Sequence, residues 1–284
     1  MSHGCFQESW KVTVVYFLLL SYFIFYMNRD RFFLFPMLHL VETPLTETVE
    51  EIYFENEMAA WVYPPRRPVE EEKIMVYFNG NAGNVSTRLA NVRVVQQLLP
   101  EYRIYNLEYP GYGLSADLPL SMDSMGKECL VACQAIVRRH PSLHTLGFWG
   151  ESLGALVQSH VFAEMAEEVD WMVHMNGVAS LRTTLSSFLH PMLHALVLPV
   201  VPCAENASDI YSKKGLEPDQ KLLIAHASHD EVVSDTQSKY LYFHLKSAFP
   251  DSVYFLELRG KHNGVLLQKE NQDVLQEFLN THLS

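Results

Sequence analysis

One short motif in this sequence of 284 residues has the residue types needed for catalysis by a serine. Ser152 lies at the centre of Gly150-Glu151-Ser152-Leu153-Gly154, a match to the G-x-S-x-G pattern, which places a serine on a sharp turn between a strand and a helix. A serine hydroxyl is a weak nucleophile unless a base removes its proton and a carboxylate orients that base. The chemistry to look for is therefore a serine, an acid and a histidine acting together.

The segments on either side of Ser152 favour this chemistry. The apolar run 144–149 predicts a strand directly before the motif, and the residues after Ser152 have a helical pattern. In so tight a turn, side chains two residues before or after the serine would collide with the neighbouring helix and strand, which explains Gly150 and Gly154. The alternative interpretation is a glycine-containing helix start without chemistry, and the motif alone is a weak indication.

An acid and a base follow Ser152 in the order that such a turn requires. Asp230 comes just after the strand-like run 221–227, and His262 comes just after the run 252–258. We therefore predict Asp230 as the acid and His262 as the base. Glu231 is the neighbouring rival for the role of the acid.

A glycine-containing loop, "YFNGNAGN" at 77–84, is the candidate for the oxyanion hole. The hole needs a second N–H group besides that of Leu153, and Asn81 would supply it through its backbone. Gly80 and Gly83 let the chain turn close to a substrate. A loop of this kind could also bind phosphate, but this one lacks the lysine of a P-loop and the spacing of a dinucleotide-binding motif.

No metal or cofactor is predicted. His226 and His229 lie near Asp230, but H-x-x-H-D without further ligands is a weak metal motif, and we interpret both as loop residues or supporting groups. The four cysteines do not pair with histidines as zinc ligands do, and Cys129 and Cys133 have the spacing of one helix face.

The elements that must position these residues alternate between strands and helices from residue 73 onwards. This alternation predicts an α/β fold with a mainly parallel sheet flanked by helices. Every candidate residue follows a strand, and ligands of such sheets bind at the carboxyl ends of the strands. The predicted strands lie at 73–78, 102–109, 144–149, 170–178, 221–227 and 252–258.

The motifs "FNGNAGN", "EYPGYGLS", "GESLG", "SHDEVV" and "GKHNG" together resemble the α/β-hydrolase superfamily. They resemble in particular eukaryotic members with an H-G-N-A-G oxyanion loop and a Y-R-G-Y-G turn, several of which are single-pass membrane proteins acting on lipids or acylated proteins. The resemblance covers residues 50–284 and implies an α/β-hydrolase fold without a cofactor. It also implies five site residues: Ser152 as nucleophile, Asp230 as acid, His262 as base, and Asn81 and Leu153 as oxyanion donors.

Three residues depart from the pattern of this family. Asn79 stands in place of histidine, Pro110 replaces the arginine of the Y-R-G-Y-G turn, and Glu151 puts a carboxylate beside the nucleophile. Asn79 and Glu151 favour an alternative hypothesis, a catalytically silent protein that binds acyl chains or a partner. A serine peptidase is a further alternative, although no segment resembles a domain that gates peptides.

The N-terminus predicts a membrane anchor. Residues 12–27 are uncharged, and Trp10 and Lys11 extend this run of 16 towards the roughly 20 residues that a spanning helix needs. A signal peptide and a buried or interfacial helix are the alternatives. The run 32–41 is too short to span and is expected at the membrane surface. The predicted domains are an anchor with its juxtamembrane segment at 1–45 and a hydrolase domain at 46–284.

Composition bounds the substrates and partners. The net charge of −12 would repel phosphate backbones, so nucleic-acid binding is not expected. The segment 180–220 is predicted to be a cap insertion, and its apolar part either covers the core or admits acyl chains. We therefore expect a membrane-anchored serine hydrolase that cleaves acyl esters or thioesters of lipids or lipidated proteins.

The sequence specifies no oligomeric state, and the expected location is an endomembrane or the plasma membrane. Arg29 and Arg31 outweigh Lys11 across the predicted span, which favours a cytosolic catalytic domain. The resembling family includes lumenal members, and Asn206-Ala207-Ser208 is a glycosylation sequon whose use would decide the side.

Overall fold

A computed structural model describes residues 4–39, 48–201 and 205–283, with only the helical backbone for residues 4–13. The predicted domain boundary at 45–46 lies outside these ranges. The strands are β1 (Phe35–Pro36), β2 (Glu50–Tyr53), β3 (Ala59–Tyr63), β4 (Glu72–Phe78), β5 (Ala82–Gly83), β6 (Tyr102–Leu107), β7 (Leu143–Glu151), β8 (Trp171–Met175), β9 (Lys221–Ala227) and β10 (Val253–Leu258).

The α-helices connect these strands and cover the sheet. Short 3₁₀ turns lie at Gly113–Ser115, Leu198–Val200 and Val265–Leu267. The helices are α1 (Gly4–Met27), α2 (Arg29–Phe33), α3 (Leu89–Leu98), α4 (Met122–Arg139), α5 (Leu153–Glu164), α6 (Leu181–Phe188), α7 (Pro191–Val197), α8 (Ala207–Lys214), α9 (Asp235–Ala248) and α10 (Lys269–His282).

The main sheet has eight strands in the order β10-β9-β8-β7-β4-β6-β3-β2. The strands from β10 to β6 pair in parallel, whereas β3 and β2 add an antiparallel edge. Helices connect the parallel strands, which confirms the predicted α/β fold with a mainly parallel sheet. β1 and β5 form a separate two-stranded parallel pair.

Both faces of the sheet are buried, which explains why its strands are continuous apolar runs rather than alternating ones. Met75 of β4 and Trp149 of β7 belong to the core on the side of α3 and α10. Val76 follows Met75 and Phe148 precedes Trp149, and both belong to the core on the other side with α4 and α5. The carboxyl ends of β7, β9 and β10 consequently meet at one edge, where the candidate residues follow them.

The N-terminal part contains helix α1, but the predicted transmembrane helix is not supported. Among the residues that the structure describes, no helix combines the length and the apolar character needed to cross a membrane. From residue 14 onwards, many apolar side chains of α1 are exposed, whereas Phe25 packs against the core of the α/β domain.

The predicted cap segment divides into two parts. Helix α8 packs against α5 and α9 and so belongs to the helical layer of the sheet. Helices α6 and α7 precede it and expose apolar side chains, including Phe188, Met192 and Leu196. The role of α6 and α7 as a cap stays a prediction.

Candidate active site

Ser152 lies on a strained turn between β7 and α5. Its backbone angles are φ 56° and ψ −116°, a region that residues with a side chain rarely adopt. β7 ends at Glu151 and α5 begins at Leu153, so the turn consists of the serine alone. Backbone hydrogen bonds on both sides hold it: the Ser152 N–H donates to the Met175 carbonyl at 2.9 Å, and the Val178 N–H donates to the Ser152 carbonyl at 3.0 Å.

The two glycines of the motif are required by close packing. A Cβ atom on Gly150 would lie 2.5 Å from the Cα of Ala155 in helix α5. A Cβ atom on Gly154 would lie 2.0 Å from the carbonyl oxygen of Phe78 in β4. The obstacles are backbone atoms of a helix and of a strand, which confirms the steric reason given for the glycines from the sequence.

The structure brings Ser152, His262 and Asp230 together in one hydrogen-bonded chain. The Oγ of Ser152 lies 3.1 Å from Nε2 of His262, and Nδ1 of His262 lies 2.7 Å from Oδ2 of Asp230. His262 and Ser152 are 7% and 8% exposed, so the chain is close to the surface but shielded from bulk water. The three residues are far apart in the sequence, and the loops after β9 and β10 bring Asp230 and His262 close to Ser152.

Asp230 is held in its ionised form. Its Oδ1 accepts the N–H groups of Val232 and Val233, each at 2.8 Å. Burial alone would raise the pKa of the Asp230 carboxyl, but the hydrogen bond and charge of His262 and these two N–H groups outweigh it and bring the pKa below its usual value. The carboxylate can therefore orient the imidazole and stabilise its positive charge.

Glu231 and His226 occupy supporting positions. Glu231 contacts the His262 backbone N–H through Oε2 at 3.4 Å, whereas the His262 ring pairs with Asp230. His226 is buried, with Nε2 3.0 Å from the Val233 carbonyl and 3.4 Å from Oδ2 of Asp230. Burial is the main reason that the pKa of His226 lies below its usual value, which favours a neutral ring that supports the acid loop.

Asn176 is a functional candidate that the sequence analysis missed. This fully buried residue directly follows β8 and has a positive φ of 48°. Its Nδ2 donates to the His262 carbonyl at 2.8 Å, and its Oδ1 accepts the Ala227 N–H at 2.8 Å. Asn176 therefore ties together the loops that carry the acid and the base. The Asn-Gly pair after a strand was the signal that could have indicated it.

The loop after β4 passes directly beside the serine. A Cβ atom on Gly80 would lie 3.5 Å from the Ser152 Cβ and 3.5 Å from the Glu151 carbonyl oxygen. Asn81 is the next residue of this loop, and Leu153 begins α5, where an N–H group has no partner within its own helix. The structure places the loop at the site, and the oxyanion role of these two residues stays a prediction.

The carboxylate of Glu151 is engaged away from the nucleophile. Tyr77 donates its hydroxyl to Oε2 of Glu151 at 2.5 Å, and Asn91 donates to Oε1 at 3.0 Å. Arg88 adds a charge, with Nε 3.8 Å from Oε2. Glu151 thus joins β7 to β4 and α3, and its carboxylate is directed away from Ser152.

Asn79 braces the loop after β4. Its Nδ2 donates to Oδ1 of Asn106 at 2.9 Å and to the Leu107 carbonyl at 2.6 Å, both at the end of β6. Its own carbonyl accepts the Tyr109 hydroxyl at 2.8 Å. The loop is therefore fixed to β6 by an amide instead of an imidazole.

A cleft of about 350 Å³ lies between helix α6 and the loop of the acid. Ser187 and Phe188 line one side, and Asp230 and Val232 line the other. The exposed end of α6 is therefore next to the catalytic edge of the sheet. In the described ranges, no group of three or more His, Cys, Asp or Glu side chains could hold a metal ion.

Sequence comparison finds a distant relative of this chain. Compared with models of known protein families, the sequence matches none. An uncharacterised protein, R595, of Acanthamoeba polyphaga mimivirus is 22% identical over 224 residues, which are 75% of each chain.

Solved structures similar to this chain include the following three. The esterase Pf2001 of Pyrococcus furiosus has a TM-score of 0.65 at 15% identity, over 88% of this chain and 98% of its own. Est1E from Butyrivibrio proteoclasticus has a TM-score of 0.59 at 14% identity, over 84% and 99%. An acylaminoacyl peptidase of Pyrococcus horikoshii has a TM-score of 0.57 at 14% identity, over 83% and 42%. All three are members of the α/β-hydrolase superfamily, and this chain has their fold.

Proposed function

We propose that this protein of the α/β-hydrolase fold is a serine hydrolase that cleaves carboxylic esters or thioesters through an acyl-enzyme on Ser152. The observation that carries the proposal is the hydrogen-bonded chain from the Ser152 hydroxyl through His262 to Asp230. A strained serine at the start of a helix, with a histidine and an ionised acid behind it, is the arrangement that activates a hydroxyl for attack.

In the first half of the reaction, Nε2 of His262 takes the Ser152 proton as Oγ bonds to the substrate carbonyl carbon. Asp230 stabilises the imidazolium that forms. The tetrahedral intermediate collapses when the imidazolium gives its proton to the leaving alcohol or thiol, and the acyl group remains on Oγ. In the second half, His262 removes a proton from water as the water oxygen attacks the acyl carbon. The bond between that carbon and Oγ then breaks, the carboxylic acid leaves, and the imidazolium returns the proton to Ser152 Oγ.

The negative oxygen of each tetrahedral intermediate needs N–H donors. The N–H of Leu153 is suited to this role because it begins α5, whose N-terminal end carries a partial positive charge. The N–H of Asn81 is the second proposed donor, and the closeness of Gly80 to the serine supports it. Each such donor contributes about 10²- to 10³-fold to kcat in other serine hydrolases.

The proposed substrates are acyl esters or thioesters of lipids or lipidated proteins at a membrane surface. Exposed apolar side chains on α1 support contact with lipid, among them Phe17, Leu18 and Leu19. The exposed Phe188 beside the cleft at Asp230 offers an apolar contact for an acyl chain. The proposal places α1 at the lipid surface, on an endomembrane or the plasma membrane.

A fluorophosphonate probe tests the proposal directly, because it reacts only with an activated serine. The full chain should be labelled, and the Ser152→Ala variant of the same fold should not. A panel of p-nitrophenyl esters of increasing chain length then gives the preferred acyl group. A folded protein that binds fatty acid but is not labelled would instead be a catalytically silent binder of acyl chains.

A further inference from the structure

Residues 33–39 form a segment, here named the strap, that lies along the loop beside the nucleophile. Its strand β1 pairs in parallel with β5, so that Phe35 and Pro36 run beside Ala82 and Gly83. The Met37 N–H extends this pairing by donating to the Gly83 carbonyl at 3.1 Å. A part of the chain that the sequence assigns to a membrane-facing segment thus contacts the catalytic domain.

The side chain of Asn81 connects the strap to this loop. Its Nδ2 donates to the Phe33 carbonyl at 2.7 Å, and its Oδ1 accepts the Phe35 N–H at 3.1 Å. The same Oδ1 accepts the Tyr112 hydroxyl at 3.1 Å. The Asn81 amide therefore binds the strap both as a donor, through Nδ2, and as an acceptor, through Oδ1.

A second asparagine fixes the other end of the strap. Nδ2 of Asn84 donates to the carbonyls of Met37 at 3.1 Å and His39 at 2.8 Å. The Gly113 N–H also donates to the Met37 carbonyl, at 3.0 Å. The Leu34 side chain is only 2% exposed and lies in the main core, so the strap is anchored by burial as well as by hydrogen bonds.

Helix α2 anchors the strap at its N-terminal side. Oδ1 of Asp30 accepts the N–H of Met122 at the start of α4 at 3.0 Å, and Arg29 forms an ion pair with Asp123. The strap is therefore held before, along and after its contact with the loop. A displacement of the strap would move the hydrogen-bond partners of Asn81.

The loop is placed between the strap and the nucleophile. Its Gly80 approaches Ser152, while the Asn81 side chain points to the strap. An oxyanion donor must be held within a fraction of an ångström of its working position, and a 1 Å displacement can lower the rate by about 10²-fold. The position of the Asn81 N–H therefore depends on what its own side chain binds.

We infer that Asn81 is a positioning residue, whose side chain clamps the strap against the loop and so fixes its own backbone N–H at the oxyanion of Ser152. The inference rests on the proposed hydrolase function. It makes the N-terminal segment a structural part of the active site.

Substitution of Asn81 in the full chain tests this inference. We expect Asn81→Ala to lower kcat for a short soluble ester by about 10- to 100-fold with KM changed by less than about twofold, because the donor is displaced and not removed. Asn81→Asp retains the acceptor for Phe35 and Tyr112 and should have an intermediate kcat. Circular dichroism and the thermal midpoint establish that each variant is folded.

A matched pair of leucines tests the strap itself. Leu34→Ala removes a buried anchor, and Leu38→Ala removes a side chain that is 54% exposed in the same segment. Leu34→Ala should lower kcat in the same way as Asn81→Ala, Leu38→Ala should leave it unchanged, and the double variant of Leu34 and Asn81 should lose less than the product of the two single losses. Hydrogen exchange of the Phe35 and Met37 amides should accelerate in both damaging variants.

The outcomes separate the two proposals. A labelled, active wild type with an unchanged kcat in folded Asn81→Ala and Leu34→Ala would overturn the positioning role and leave the hydrolase function intact. A folded wild type that neither reacts with fluorophosphonate nor cleaves esters would overturn the hydrolase function, and the positioning role with it. Unprotected Phe35 and Met37 amides in the wild type would overturn the clamp, whatever the activity.

Discussion

At the scale of single residues, the site depends on side chains that are far apart in the sequence and act as a unit. Ser152 follows β7, whereas Asp230 and His262 follow β9 and β10, and the two hydrogen bonds between them need all three loops in place. Asn176 contributes to that placement, because it binds the backbone before Asp230 and the backbone of His262. The proposed chemistry uses only three side chains, but residues outside this group, such as Asn176, determine their positions.

The unit behaviour of these residues gives the first prediction. Ser152→Ala and His262→Ala should each lower kcat by at least about 10³-fold. The kcat of the double variant should be about the same as that of the less active single variant. The measurement is ester hydrolysis at equal concentrations of folded protein. A double variant whose loss equals the product of the single losses would show that the two residues act independently.

A buried acid outside the catalytic chain gives the second prediction. Burial raises the pKa of Glu108 to about 8, although the N–H groups of Val85 and Leu114 act to lower it. Because the folded state retains this proton while the unfolded state loses it near its ordinary pKa of about 4.3, folding stability falls as the pH rises from there to about 8. Each pH unit in this window lowers the free energy of unfolding by at most about 1.4 kcal/mol.

Glu108→Gln isolates this contribution. The amide has nearly the same shape and can still accept the two backbone N–H groups, but it does not ionise. Chemical unfolding at pH 5 and pH 8 should therefore show a smaller loss of stability in the variant than in the wild type. An equal loss in both proteins would mean that Glu108 does not hold its proton in the folded state.

At the scale of elements, the packing of helix α5 against β4 positions the nucleophile. A Cβ on Gly154 would lie 2.0 Å from the Phe78 carbonyl oxygen, and backbone cannot move aside without disturbing β4 and the loop that follows it. The N-terminal turn of α5 and the end of β4 must therefore touch. This contact brings the loop after β4 to the start of the helix.

The third prediction follows from that contact. Gly154→Ala should lower the free energy of unfolding by about 3 kcal/mol or more and reduce activity as well, since the clash is with backbone. Gly215→Ala is the matched control, because its positive φ of 87° is strained but its Cβ would meet nothing within 4 Å. That control should cost about 1–3 kcal/mol through backbone strain alone, because φ 87° with ψ 167° suits only glycine, and it should retain full activity. A Gly154→Ala variant that keeps full activity and has the same thermal midpoint as Gly215→Ala would contradict the steric account.

At the scale of the whole molecule, the two ends of the N-terminal part have different surroundings. Phe25 packs on the core and Leu34 is buried in it, whereas Leu18 and Leu19 of α1 are each 60% exposed. Exposed apolar side chains in such a row are typical of a surface that binds lipid or a partner. The same segment is thus docked on the domain at one end and presents an apolar surface at the other.

Lipid binding by this surface is the fourth prediction. The full chain should sediment with phospholipid vesicles, and the double substitution Leu18→Asp with Leu19→Asp should abolish this without changing hydrolysis of a short soluble ester. Phe243→Asp is the control, because Phe243 is 68% exposed on α9 and away from α1 in the sequence. Unchanged vesicle binding by the α1 variant would exclude this surface as the lipid contact.

The docking of the N-terminal segment also changes the expected effect of truncation. From the sequence alone, deletion of residues 1–31 should leave turnover of a soluble ester nearly unchanged, because Ser152, Asp230 and His262 are all retained. In the structure, Arg29 and Asp30 bind the start of α4 just before the strap. The deletion should therefore lower kcat for soluble esters as well. Point substitutions on α1 leave this contact in place and so test lipid contact more directly.

Local patterns in the sequence were sufficient for the fold class and for the position of the strained serine. Buried parallel strands are continuous apolar runs, and a tight turn excludes side chains beside it, so β7, Ser152 and the two glycines can be predicted from neighbouring residues alone. The order of Ser152, Asp230 and His262 along the chain can also be read directly from the sequence. The loops that follow consecutive parallel strands meet at one edge, which made their approach predictable.

Contacts between distant segments could be decided only by the tertiary structure. The orientation of Glu151 towards Tyr77 and Asn91 depends on which face of β7 the residue occupies and on what packs there. The Asn81 side chain finds its partners in a segment more than forty residues away, and no short-range pattern encodes that pairing. Hydrophobic patterns show that a segment avoids water, but not whether lipid or the protein core covers it, and for Leu34 the core does.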